Sequence, residues 1–221
     1  MSLTPLRIAI LISGRGSNMA AIARECLEGR LNARIGVVLS DRAGAAGLDT
    51  ARGLGIHTGV IPWQAAAQRP AFDEALAGAL AATSPDVIVL AGFMRILSAQ
   101  FVAARAGRIL NIHPSLLPKY TGLHTHRRVI EAGEREHGAS VHFVTAELDG
   151  GPVVLQSRVA VLPGDSEQSL SARVQATEHI IYPRVIGWLA AGRLAWRQER
   201  PWLDDRPLEE PVVEDFRAAR N

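Results

Sequence analysis

Asn111-Ile112-His113-Pro114 sets an amide and an imidazole two residues apart at the end of a short apolar run. In an extended strand such residues share a face, so Asn111 and His113 project together while Ile112 packs behind them. An amide donor beside an imidazole suits a reaction that builds negative charge on a carbonyl oxygen. The amide stabilises the oxyanion, and the ring donates or shuttles a proton. Taken alone, the pair reads more simply as a strand-end couple bonded to local backbone.

Asp149 is the next candidate, in Glu147-Leu148-Asp149-Gly150-Gly151-Pro152. A carboxylate before two glycines is a turn former. Beside His113 it would instead orient the imidazole or a water. Spacing leaves both roles open.

Gly14-Arg15-Gly16-Ser17-Asn18 follows the apolar run Leu6 to Ile12, and Met19, Ile22, Ala23 and Leu27 then recur at helical spacing. Unpaired N–H groups at a helix start carry the positive end of its dipole and bind phosphate well. Ser17 and Asn18 add side-chain donors. The dinucleotide fingerprint needs a third glycine where Met19 stands, and the Gly-Lys-Ser/Thr of a Walker loop is absent. A tight turn with a polar cap is the simpler alternative.

His124, His126, His137 and His142 match no defined zinc spacing, so no metal is expected. The single cysteine, Cys26, forbids an internal disulfide and a cysteine-built zinc site. It falls on a helical apolar stripe, as a small buried residue does.

These residues need a scaffold. Leu6 to Ile12 reads as a strand buried on both faces, followed by a glycine turn and a helix. Ile35 to Leu39 and His57 to Ile61 read as strands flanking a helix over Ala45 to Leu54 that Gly55 stops. Phe72 to Ala82 is helical, Val87 to Ala91 is the strongest strand, and Ser98 caps a helix through Ala104. Arg108 to His113 is a strand stopped by Pro114. Ser140 to Val144 and Val153 to Val161 form a hairpin around Asp149 to Pro152. Asp165 or Ser166 caps a long helix to about Ala191, with Gly192 as its stop. The last thirty or so residues read as a short strand and a loose tail.

Alternating strands and helices predict an α/β fold: an open, mostly parallel, Rossmann-like sheet with helices on both faces. Ligands in such sheets sit at the carboxyl ends of strands, here the turns after Ile12, Ala91 and His113. One domain is expected over 1–221, with its core about 6–194 and a C-terminal strand and tail about 195–221.

Composition agrees. With 221 residues, 48% hydrophobic and 21% charged, the chain is ordinary globular material, not a disordered one. The formal charge of +2 is spread along the chain, with Lys119 the one lysine, which does not suit a nucleic-acid binder. The apolar stretches are too short to span a bilayer, and Met1 to Arg7 does not read as a secretory signal. A cytoplasmic protein is the simple expectation.

Together the segments resemble the folate-dependent formyltransferase family, from the first strand to about Leu194. The matching runs are Ile12 to Asn18, Leu90 to Leu97, Leu110 to Tyr120, Gly122 to His126, Gly138 to Val144 and Asp149 to Pro152. Within the family the chain is most similar to the members that formylate glycinamide ribonucleotide. It departs mildly from the pattern at Arg15 and Thr121.

The resemblance implies transfer of the formyl group of 10-formyltetrahydrofolate to the amine of that ribonucleotide, in purine synthesis. It assigns catalysis to Asn111, His113 and Asp149. It assigns the ribonucleotide to Gly16, Ser17, Asn18, Gln175, Ala176, Thr177 and Glu178. The folate falls to Arg69, Met94, Arg95, Ile96, Leu97, Asn111, Val144, Thr145, Ala146, Glu147, Leu148 and Asp149. It also implies a cis Leu117–Pro118 peptide. The partners implied are these two small molecules, with no nucleic acid and no membrane, for a monomer or homodimer. A formyltetrahydrofolate hydrolase or a methionyl-tRNA formyltransferase is the alternative within the family. A nucleotide-binding module without chemistry is the alternative outside it.

Overall fold

The computed structural model describes residues 4–63 and 69–218; the ends of the expected 1–221 domain lie outside them. In chain order the elements open with β1 (Leu6–Ile12), α1 (Ser17–Leu27), β2 (Ala33–Ser40), α2 (Ala46–Gly53), β3 (Thr58–Val60) and α3 (Arg69–Ala81). Next come β4 (Val87–Leu90), α4 (Ala99–Ala103), β5 (Ile109–His113), α5 (Thr125–Glu131), β6 (Glu136–Phe143) and β7 (Val153–Ala160). The chain ends with α6 (Glu167–Ala190), β8 (Leu194–Arg197), β9 (Arg200–Leu203), β10 (Arg206–Pro207) and β11 (Val212–Asp215).

Eight strands form one sheet in the order β11-β7-β6-β5-β4-β1-β2-β3. All neighbours run parallel except β5–β6 and β6–β7. The strand order reverses direction around β1 and β4, the point where such sheets open a crevice.

Period-two alternation builds two cores. Ile8, Ile10 and Ile12 of β1 pack with Met19, Ile22, Leu48 and Tyr182, whereas Ala9 and Leu11 face Phe72, Leu76 and Phe101. The helices therefore cover both faces, as the alternating pattern predicts. Tyr182, fully buried on α6, directs its hydroxyl at the carbonyls of Leu90 and Leu110, each 3.0 Å away.

The structure corrects the expected C-terminal region. Leu194 to Asp215 are not a loose tail: β8, β9 and β10 form a small antiparallel sheet, and β11 adds to β7 in parallel. Trp196 of β8 packs on Phe143, with ring centroids 4.9 Å apart. It also fills the space over Gly107, where a Cβ would lie 2.1 Å from the indole.

Strand β6 begins at Glu136, earlier than the expected Ser140, and the short α5 had no clear signal. Gly138 hid the strand start, because glycine there reads as a breaker. Yet a Cβ at Gly138 would lie 1.8 Å from the Ser157 carbonyl, so only glycine allows β7 to approach. Ser166 is the cap of α6, in a reciprocal capping box with Ser169, while Asp165 pairs with Arg173.

Candidate active site

On β5, Leu110 and Ile112 point into the first core and Ile109 into the second. Asn111 and His113 continue the Ile109 face beyond its apolar cover, as the two-residue spacing requires. His113 is bordered by acceptors at both ring nitrogens. Its Nε2 lies 2.9 Å from the Tyr120 carbonyl, and its Nδ1 lies 3.4 Å from Asp149 Oδ2. A carbonyl only accepts, so Nε2 carries a proton, and Nδ1 is the ring nitrogen that faces the carboxylate.

The loop between β6 and β7 brings Asp149 there, with a side chain only 8% exposed. Asp149 has φ 52, a left-handed conformation that aspartate tolerates better than most residues. A Cβ on Gly151 would sit 1.8 Å from the Phe143 carbonyl, so the loop can fold back only with glycine at that position. The two readings of Asp149 are thus one arrangement: the turn delivers the carboxylate to the ring. The Gly122 N–H donates to Asp149 Oδ2 at 2.9 Å and ties the loop after β5 to the same carboxylate. That loop contains the cis Leu117–Pro118 peptide.

Opposite Asn111 across the β5–β6 ladder stands His142. Its Nδ1 faces the Phe143 carbonyl at 3.0 Å and therefore carries the proton. Its Nε2 is left to accept from Asn111 Nδ2 at 3.1 Å. Burial, chiefly, pushes the His142 pKa down, consistent with this neutral tautomer. One amide hydrogen of Asn111 is thereby held, and the other remains for a ligand. Sequence reading weighed His142 only as a metal ligand; the strand register shows it facing Asn111.

At the end of β1, Gly16 caps α1 with φ 72 and no side-chain hydrogen bond. A Cβ there would lie 2.9 Å from the Gly47 Cα, since α1 and α2 start against each other. The first N–H groups of α1 thus keep no side-chain cap, the condition for holding an anion. Gln175 Nε2 donates to Ser17 Oγ at 3.1 Å, and Asn18 Nδ2 to Glu178 Oε2 at 2.7 Å. Burial raises the Glu178 pKa, partly offset by that bond from Asn18. So α6 does meet the glycine turn through Gln175 and Glu178. Thr177 does not: its hydroxyl donates to the Val174 carbonyl at 2.8 Å and lies 2.7 Å from Ser157 Oγ on β7. Ala176 is exposed.

The loops after β1 and β4 are joined, with the Met94 N–H donating to Ser13 Oγ at 2.8 Å. Met94, Ile96 and Leu148 are exposed large apolar side chains, whereas Leu97 is buried. Val144 packs against the second core; Thr145 is half-buried, and Ala146 and Glu147 are exposed. Arg95 donates through Nε to Asp41 Oδ2 at 2.6 Å. Arg69 opens α3 with its Nε buried and without a hydrogen-bond partner. The sequence reading did not single out Asp41.

Of the remaining histidines, His126 and His137 form a pair, Nδ1 to Nε2 at 3.0 Å. Burial lowers both pKa values, that of His137 to about 4. Among the described residues no cluster of three His, Cys, Asp or Glu side chains could hold a metal ion, and no helix is long and apolar enough to cross a membrane.

The family model described as Formyl transferase matches residues 6–186. Phosphoribosylglycinamide formyltransferase of Escherichia coli (strain K12) is 53% identical over 203 residues, 92% of this chain and 96% of its own. The human trifunctional purine biosynthetic protein adenosine-3 is 44% identical over 186 residues, 84% of this chain and 18% of that longer protein. A solved phosphoribosylglycinamide formyltransferase from Coxiella burnetii superposes with TM-score 0.88 at 46% identity, covering 95% of this chain and 99% of its own.

Proposed function

The chain belongs to the formyl transferase family, and from that premise we propose that it moves the formyl group of 10-formyltetrahydrofolate to the amine of N1-(5-phospho-D-ribosyl)glycinamide, in de novo purine biosynthesis. The observation that carries the chemistry is the convergence of Asn111 and His113, two residues apart on β5, with Asp149 from the β6–β7 loop. The proteins of Escherichia coli and Coxiella burnetii, which this chain matches over nearly their whole length, are named phosphoribosylglycinamide formyltransferase.

In this reading the ribonucleotide phosphate takes the uncapped start of α1, with Ser17 and Asn18 as donors and Gln175 and Glu178 behind them. The amine attacks the formyl carbon, a C–N bond forms, and the carbonyl oxygen takes the negative charge. The free amide hydrogen of Asn111 and the Nδ1 proton of His113 stabilise that oxygen. The Tyr120 carbonyl holds the proton on Nε2, and Nδ1 faces Asp149. The 3.4 Å from Nδ1 to Asp149 exceeds a tight charge-assisted bond and leaves the Nδ1 proton free to be shared. The attacking amine loses a proton, the folate nitrogen gains one, and the C–N bond to the folate breaks. No covalent enzyme intermediate is required.

The folate lies along the loops after β4 and β6, over Met94 to Leu97 and Val144 to Asp149. The protein works in the cytoplasm on two small molecules. The test is one assay with 10-formyltetrahydrofolate, with and without the ribonucleotide. Deformylation only in the presence of the ribonucleotide is expected. Equal folate consumption without any acceptor would mark a hydrolase instead.

A further inference from the structure

We propose that Asp41 is a positioning residue, which holds the Arg95 guanidinium for the anionic tail of the folate; this rests on the function proposed above.

Asp41 follows β2, and its side chain is fully buried. Oδ2 accepts from Arg95 Nε at 2.6 Å, while Oδ1 is buried with no hydrogen-bond partner. Arg42 is the other nearby cation, but its Nε stays 3.8 Å from Oδ2 and its side chain is 57% exposed. A carboxylate kept in the interior for stability alone would have both oxygens satisfied, because a buried, half-paired charge is expensive. Asp41 fits a different purpose: its one strong bond fixes the plane of the Arg95 guanidinium.

That plane is fixed from a second side. The guanidinium carbon of Arg95 lies 5.3 Å from the centroid of the Trp63 ring. Trp63 in turn meets Phe72 edge-on at 5.1 Å, and Phe72 stacks on Phe93 at 6.4 Å. Arg69 stands one helical turn before Phe72 on α3. Arg69 Nε is buried without a partner, and Arg95 gives only Nε to Asp41. The fixed Arg95 guanidinium, with the unpartnered Arg69 Nε, fits a carboxylate-bearing ligand.

Folate chemistry supplies such a ligand. Its formyl-bearing end must reach His113, and its other end carries glutamate carboxylates. Of the residues on the folate side, Arg69 and Arg95 are the cations. Asp41 therefore acts through Arg95 on the tail and not on the reacting end.

The experiment compares the wild type with Asp41→Ala and Asp41→Asn at saturating ribonucleotide. Each is assayed against 10-formyltetrahydrofolate and against the same molecule without its glutamate, 10-formyltetrahydropteroate. Loss of one oriented charge-assisted contact is expected to raise the KM of Asp41→Ala for the full molecule about tenfold. The KM for the truncated molecule should stay within about twofold, a contrast that a general loosening of the fold would not give. Asp41→Asn keeps an acceptor for Arg95 and should fall between the wild type and Asp41→Ala. An equal rise on both folates, no rise, or a lower KM for the full molecule would each overturn the proposal. An active wild type with an indifferent Asp41→Ala removes the positioning role alone; an inactive wild type removes the proposed function with it.

Discussion

Asp149 Oδ2 lies 3.4 Å from His113 Nδ1, on the side of the ring away from the Tyr120 carbonyl. The ring thus stands between two acceptors, one at each nitrogen. His113→Asn and Asp149→Asn each remove one half of this arrangement while keeping size and polarity. We expect turnover to fall by about 10²–10⁴, the usual worth of a positioned proton donor. KM for both substrates should change far less. Turnover within a few-fold of the wild type in both variants would rule out the catalytic assignment.

Gly16 adopts φ 72 with its missing Cβ aimed at Gly47. Gly16→Ala costs about 1–2 kcal/mol for the left-handed backbone, before the clash with Gly47 is added. The strain falls on the start of α1. KM for the ribonucleotide should therefore rise, while the folate KM is nearly kept. A rise confined to the folate would place the phosphate elsewhere.

Acid should destabilise the fold through the His126–His137 pair. Burial holds both rings neutral, with the His137 pKa near 4 against an ordinary value of 6.5. As pH falls below about 6.5, the unfolded chain binds protons that the folded chain refuses. Stability is lost down to about pH 4, by about 1.4 kcal/mol per pH unit from one such group. Urea midpoints between these limits should show this slope, and His137→Gln should flatten it.

Tyr182 offers a purely structural contrast. Tyr182→Phe removes a buried hydroxyl shared between the Leu90 and Leu110 carbonyls, at a cost of about 1 kcal/mol. Tm should drop by about 2–4 °C for a chain of this size. Turnover should hold; a large loss would mean that this bond also sets the position of Asn111 on β5.

Short-range pattern carried much of this protein. The nearly unbroken apolar run Leu6 to Ile12 announced a strand buried on both faces, and β1 divides its side chains between two cores. Glycine at positions 14 and 16 announced the turn into α1, and Asn111 and His113 had to share a face because strand geometry repeats every two residues. Such features are local, set by φ/ψ and side-chain period within a few bonds. What stayed hidden depends on how distant segments meet. Nothing near His142 shows that it faces Asn111, since register is a property of the paired strands. Asp149 was visible as a turn former, but its approach to His113 required the Gly151 backbone to pass over the Phe143 carbonyl. Asp41 meets Arg95 because β2 and β4 flank β1 in the sheet, although the chain separates them. Strand β11 read as tail because its pairing energy comes from β7 and not from its own sequence. Residue types and local periods determined the elements and the candidate groups; tertiary packing decided which of those groups face one another, and so which of them can act together.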